Sequence, residues 1–478
     1  MPDLHQRSAT DLLALYRTGA VSPVDVARDV INQIERCEPA LCATWAFDPD
    51  GALAMARESE LRWIAARAGG APARALEGVP VTIKDNITTR GVPTPLGTAV
   101  TELVPAAEDA PPAARLREAG AVFVTKTTMP DYGMLSSGLS SFHKLARNPW
   151  DTSKNPGGSS SGAGAAAAAG YGPLHIGTDI GGSIRLPASW CGVVGLKPSL
   201  GRVPIKPPYA GRCAGPMTRS VTDAALMMAT LSLPDARDTM SLPYQALDWS
   251  QVIDSATDED VAQTLVWALR GQRVGLLMDA GWGTPVTDEV ASAVRAAAAA
   301  FERAGAIVEP MPAFSTRAMA DGMDRFWRMR SWLDFSALPP ERQAKMLPYI
   351  ADWVRGGAHL SGADVFTGYS QMAALRDAAV AACAPYDFVL SPVSPDVAYP
   401  AELASPANDP AQPFDHIAYT LPYNMSEQPA VSVNCGWSSG GLPIGLQIIT
   451  KRHDDLGALR IARAFELIRG GQRDWPMR

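Results

Sequence analysis

Between residues 155 and 202 the chain has almost no freedom in how it can fold. Asn155-Pro156-Gly157-Gly158-Ser159-Ser160-Ser161-Gly162 is a glycine- and serine-rich loop. It runs into Ala163-Gly164-Ala165-Ala166-Ala167-Ala168-Ala169, which predicts a tightly packed helix, because alanine lets neighbouring backbone come close. Leu174-His175-Ile176-Gly177-Thr178-Asp179 then leads to a second glycine turn, Gly181-Gly182-Ser183. Ile184-Arg185-Leu186-Pro187 follows, and Val193-Val194-Gly195-Leu196 reads as a strand. Two small-residue turns flanking an alanine helix point to a site lined by backbone groups and hydroxyls.

The surroundings predict an α/β layer fold. Ser8 to Asp11 can cap a helix over Leu12–Tyr16, and Ser22-Pro23 caps a second with Val24, Val26, Val30, Ile31 and Ile34 at helical spacing. Gly51–Ala66 reads as a third helix, closed by Gly69-Gly70. Val79-Pro80-Val81-Thr82-Ile83 is a short strand ending on Lys84-Asp85-Asn86. A helix at 114–118 and a strand at 121–125 complete a strand–helix–strand unit, which favours parallel pairing. Farther on, 286–304 reads as an alanine-rich helix, and 388–390 and 430–433 as buried strands. No repeat or linker divides the 478 residues, so one domain over 1–478 is expected. It has a helical N-terminal part to about residue 68, a core over about 78–230 and a more ordinary stretch over about 232–425.

Composition removes several function classes. Lys and Arg number 42 against 49 Asp and Glu, a net charge of −7 with no basic run, which argues against nucleic acid or an anionic membrane as partner. The six cysteines (37, 42, 191, 213, 383, 435) include no CxxC pair, and the six histidines no HExxH. Neither a metal site nor a disulfide framework is expected, and Cys191 reads as a small buried hydrophobe. No leader-like basic-then-apolar opening is visible, nor a run near the ~18 apolar residues of a membrane span. A cytoplasmic setting is expected.

Glycine loops with small polar residues can bind phosphate, activate a nucleophile or merely turn the chain. Gly157 to Gly162 has P-loop spacing, but Ala163-Gly164 stands where Lys-Ser/Thr is needed. Gly162-Ala163-Gly164 opens a dinucleotide fingerprint whose third glycine is replaced by Ala167. Gly158-x-Ser160-x-Gly162 matches the nucleophile elbow GxSxG, yet loop precedes it where a strand is required. Ser141-Phe142-His143-Lys144 is an SxxK without the later KTG. A further arrangement uses Lys84 at the end of a strand, Ser159 in the first loop and Ser183 in the second.

At these places the chain resembles the amidase signature family. The resembling motifs are Gly78–Asn86, Asn155–Gly170, Gly177–Ala188 and Cys191–Pro198. Gly215-Pro216-Met217, Gln428-Pro429-Ala430 and Gly441–Gln447 extend them, and the likeness is weakest over 232–385. The resemblance implies a mixed central β-sheet covered by helices on both faces, in an α/β fold. It also implies a Ser–cis-Ser–Lys triad: Ser183 as nucleophile, Ser159 as the bridging serine after Gly158, and Lys84 as base. The oxyanion hole would be formed by the backbone N–H groups of Ile180, Gly181, Gly182 and Ser183. Chemistry agrees: an ordinary lysine, with pKa near ~10.4, is a poor base at neutral pH, and burial lowers that value. A serine between the two can relay the proton. Asp179 and Arg185 are expected to support the second loop, and Ser160 to hydrogen-bond within the site.

Two departures stand out. Ser161-Gly162-Ala163-Gly164 replaces a more usual Gly-Gly-Ser step, and Ser426-Glu427 precedes Gln428 where Thr-Gly is commoner. The expected activity is hydrolysis of a C–N amide bond through an acyl-enzyme on Ser183, without cofactor or metal; esters and carbamates are chemically reachable. The alternatives are a glutaminase-type transamidation subunit that needs a partner chain, and a non-catalytic binding protein on the same scaffold. The expected ligand is a small amide, anilide or carbamate, and a homodimer is left open. The pocket is expected from Met129, Tyr132, Gly133, Met134 and Leu135 on one side and Phe326, Trp327 and Trp332 on the other. The charges near them are Asp131, Asp324, Arg325 and Arg328, which predicts an apolar ligand.

Overall fold

The computed structural model describes residues 3–477. Ser8 accepts from the Asp11 N–H and starts α1 (Ala9–Thr18). Ser22 and Asp25 form a reciprocal capping box at the start of α2 (Pro23–Leu41), and Asp48 caps α3 (Pro49–Arg67). These are the three helices that the sequence predicts.

Eleven strands form one sheet. In chain order they are β1 (Thr44–Trp45), β2 (Pro80–Lys84), β3 (Val122–Thr127), β4 (Leu174–Asp179), β5 (Val194–Lys197), β6 (Cys213–Thr218), β7 (Arg273–Leu277), β8 (Ile307–Met311), β9 (Phe388–Pro392), β10 (Ala430–Trp437) and β11 (Pro443–Ile449). Their spatial order is β1-β3-β2-β4-β6-β5-β10-β11-β9-β7-β8. The parallel expectation holds for β3–β2–β4, with α4 (Pro111–Glu118) crossing between β2 and β3. It fails in the middle, where β4–β6, β6–β5, β5–β10 and β10–β11 are antiparallel. The sheet is therefore mixed, as the resemblance implies.

Several elements escape the sequence pattern. β6 reads Cys-Ala-Gly-Pro-Met-Thr and lacks β-branched residues until its end, yet it is wholly buried between two neighbours. β8 contains Pro310, which is tolerated because β8 is an edge. Arg185–Cys191, not recognised from sequence as helical, forms α6.

The sheet is covered on both faces. α5 (Ser161–Ala169) and α6 meet at Ala163, Ala167, Ala168, Ile184, Ala188 and Cys191, and Met217 of β6 joins this cluster. Ala214, on the other face of β6, belongs to the main core with α7 (Val221–Leu231) and the helices Asp288–Arg303 and Asp455–Ile468. A second core is built from the aromatics of residues 323–354, with Trp327 and Trp353 edge-on to Phe414 at ring distances of 5.2 and 5.9 Å. Met346, Ile350 and Val354 of this core share a cavity with Ser159 and Ser183.

Candidate active site

Lys84 is the last residue of β2, buried on all sides. Its Nζ lies 2.9 Å from Ser159 Oγ, 2.9 Å from Ser160 Oγ and 2.9 Å from Thr178 Oγ1, with the Thr178 carbonyl at 3.4 Å. No carboxylate forms an ion pair with it among the described residues. Burial lowers its pKa well below the usual lysine value, and the nearby Arg212 charge lowers it further, against smaller opposing effects of Asp179 and Asp85.

A neutral amine has one lone pair and two hydrogens for three close hydroxyls. Ser160 donates to the Thr178 carbonyl at 3.2 Å, and Thr178 Oγ1 faces the Asn86 amide oxygen at 3.4 Å. Of the three, only Ser159 has no other acceptor for its proton among the described residues. When the amine is neutral, this leaves Ser159 to donate to its lone pair, with Ser160 and Thr178 accepting from the amine; when it is charged, it donates to Ser159 as well. The Gly158–Ser159 peptide is cis.

Ser183 is nearly buried on the second turn, and its carbonyl accepts from the Ser160 N–H at 3.1 Å, tying the two loops together. Gly182 has φ +132°, and a Cβ there would lie 2.5 Å from Thr420 Oγ1, so a side chain is excluded. Asp179, at the end of β4, accepts from the N–H groups of Gly182 at 2.8 Å and Ile184 at 3.1 Å. The Gly182 N–H is therefore occupied. Of the four N–H groups expected at the oxyanion hole, those of Ile180, Gly181 and Ser183 are without a partner among the described residues.

Asp179 and Arg185 form a fully buried two-pronged ion pair, Nε to Oδ2 at 3.0 Å and Nη2 to Oδ1 at 2.9 Å. Arg185 also donates to the Thr420 carbonyl, Gln447 Oε1 and Asn424 Oδ1, and Asn424 returns a bond to Asp179. The Arg185 charge and these hydrogen bonds hold the Asp179 carboxyl below its ordinary range despite burial. Thr178, Thr420, Asn424 and Gln447 were missed from sequence; only their tertiary position reveals them. Asp85, next to Lys84, accepts from His143 Nε2 at 2.6 Å and from the N–H groups of Leu96 and Gly97.

Above Ser159 and Ser183 lies a cavity of about 550 Å³. Tyr132, Gly133 and Met134 line it, as expected. A side lobe of about 40 Å³ adjoins it, lined by Leu135, Gly181, Ser183, Trp327, Phe414 and Ile417. Trp332 and Phe326 line neither. On the helix Arg317–Ser336 the site-facing residues are Trp327, Arg330, Ser331 and Asp334, and positions 326 and 332 point off that face. Phe326 packs on Tyr369 and Trp332 on Phe335.

The charged residues at the cavity are not those expected. None of Asp131, Asp324, Arg325 and Arg328 lines the cavity, but Lys206, Arg212, Arg330 and Asp334 do. Their distant origins in the chain hid them. Glu427 is held at the surface by Arg376 and Arg452, away from the cavity. The Cys191 thiol is buried against the Pro156 carbonyl.

The family model Amidase matches residues 25–459, and the chain belongs to the amidase signature family. It is an enzyme of the class that acts on C–N bonds, as hydrolase or amidotransferase. It is 34% identical to a glutamyl-tRNA(Gln) amidotransferase subunit of Myxococcus xanthus over 95% of this chain and 96% of that one. A bacterial aryl acylamidase of the family superposes with TM-score 0.85 at 28% identity, covering 97% and 96% of the two chains. The peptide amidase of Stenotrophomonas maltophilia superposes with TM-score 0.81 at 26% identity, covering 98% of each. Among the described residues no helix is long and apolar enough to cross a membrane.

Proposed function

We propose that this chain is a serine amidohydrolase. The observation that carries the reading is the buried Lys84, without a carboxylate partner among the described residues, in contact with Ser159 beneath the cavity that exposes Ser183. Ser183 Oγ attacks the amide carbonyl. Its proton passes to Ser159, whose own proton goes to Lys84 Nζ. The N–H groups of Ile180, Gly181 and Ser183 face the developing oxyanion. The proton returns to the departing amine, and water then releases the acid from the acyl-Ser183 ester. Asp179 keeps the turn in shape by holding Gly182 and Ile184.

The name carried by the Myxococcus relative favours a second reading, a transamidation subunit that takes ammonia from glutamine and passes it on with a partner chain. The two readings share every step to the acyl-enzyme and differ in substrate and partner. The test uses the purified lone chain with anilides, esters, carbamates and glutamine. Turnover of an anilide by the lone chain, an acyl mass on Ser183 and loss of both in Ser183→Ala support the hydrolase. Activity on glutamine alone, only after a second protein is added, selects the transamidation reading. An adduct that persists in Ser183→Ala and vanishes in Ser160→Ala would move the nucleophile to the GxSxG serine.

A further inference from the structure

Two arginines face the cavity with no carboxylate of their own. Arg212 follows the β4–β6 ladder, where Cys213 pairs with Asp179, so it lies alongside Ile180 at the second glycine turn. It is half-buried, and its one side-chain hydrogen bond among the described residues is from Nη1 to the Pro207 carbonyl at 2.9 Å. Arg330 enters from the opposite wall, on the helix that carries Trp327, and borders both the main cavity and the side lobe. Its guanidinium lies 4.7 Å from the centre of the Tyr209 ring, interacts with the Tyr209 hydroxyl, and contacts Met134 Sδ at 3.8 Å. Neither arginine forms an ion pair among the described residues. The Tyr209 hydroxyl beside them is out of solvent and makes no hydrogen bond of ordinary geometry.

Such an arrangement is costly when empty of anion. Two guanidinium groups close enough to feel each other's charge repel, and burial weakens their hydration. The steps proposed at Ser183 use neither cation. The rim pair differs: Lys206 is bonded to Glu108 at 3.0 Å, and Asp334 is exposed at the mouth. A guanidinium fork matches a carboxylate with two parallel hydrogen bonds.

We infer that Arg212 and Arg330 form an anion-binding subsite, with the Tyr209 hydroxyl as a further donor, and that the substrate is an amide carrying a carboxylate. This rests on the hydrolase reading only for what happens after binding. The apolar lining from Met129, Leu96 and Met346 then holds the skeleton between the amide and the carboxylate.

Binding is measured first, with Ser183→Ala protein, which separates recognition from turnover. The probes are para-acetamidobenzoate against para-nitroacetanilide, with the charge on the amine half, and glutaranilate against hexananilide, with the charge on the acyl half. In one pair the carboxylate compound should bind at least about tenfold more tightly, and R330Q or R212Q in the same background should remove that preference. In the active enzyme, R330Q should raise KM for the anionic compound at least about tenfold more than for its neutral partner, with partial rescue by R330K. Equal binding within both pairs, or a preference that survives R330Q, overturns the subsite. R330Q decides if R212Q does not fold. A binding preference without Ser183-dependent turnover keeps the subsite and rejects the hydrolase.

Discussion

At the scale of single residues, the proposed mechanism depends on a lysine whose charged form is disfavoured by burial. Its three hydroxyl neighbours are good partners for an amine, but none neutralises an ammonium. A base must be unprotonated to act, so activity should rise with pH through the Lys84 titration and level off above it. With the pKa well below the usual lysine value, that rise belongs on the acid side of the ordinary lysine range. Lys84→Ala should reduce kcat/KM by about 10²–10⁴-fold and remove the lysine limb from the pH profile. A variant that keeps the parental limb would show that another group takes the proton. The proposed triad positions could be named from the sequence because they fall in short motifs, Lys84 at the end of a strand and the two serines in glycine loops. Thr178, which holds the amine from the strand side, was not, because a threonine in a strand looks like packing.

At the scale of elements, α5 explains the density of small residues. Every residue from Ser161 to Ala169 is buried, so the helix has no solvent face to betray an amphipathic pattern. Its Gly162 lies against the chain between strands: a Cβ would fall 2.1 Å from the Ala43 carbonyl oxygen and 2.4 Å from the Thr128 nitrogen. Neither backbone group can step aside without moving β1 or β3. Gly162→Ala should therefore cost about 1–3 kcal/mol and shift the first loop, lowering both the melting temperature and activity. Gly362, at the start of the helix Gly362–Cys383, has nothing within 4 Å of its added Cβ. Gly362→Ala should be neutral or stabilise by about 0.4–1 kcal/mol. Equal melting temperatures for the two variants would contradict this account of the alanine helix.

At the scale of the whole molecule, the cavity is assembled from distant parts of the chain. The side lobe draws Leu135 from before the first loop, Trp327 from the long helix and Ile417 from the segment that precedes β10. At about 40 Å³ it has room for little more than a methyl group or a water. Trp327 sets that limit, and its indole N–H is buried without a hydrogen-bond partner. Trp327→Phe should enlarge the lobe without removing a hydrogen bond. The ratio of kcat/KM for a propionyl over an acetyl anilide should rise, by about 10-fold for a well-fitted extra methylene. An unchanged ratio would show that the acyl group lies elsewhere in the cavity.

Local signals carried the α/β class, the early helices with their Ser and Asp caps, the two glycine loops, and Lys84 at the end of a strand. Each depends on neighbours within a few residues, through capping, periodicity or the need for small side chains. The antiparallel centre of the sheet was decided elsewhere, since β6 has no strand-like composition of its own and is held by the strands on either side. The fate of the Gly182 N–H was also beyond the sequence, because Asp179 competes for it only in the folded turn. So was the charge of the pocket. Arg212 and Arg330 are 118 residues apart and meet only when the second core closes over the sheet. Local chemistry is written in adjacent residues, whereas a cavity's polarity is set by which distant side chains share its wall.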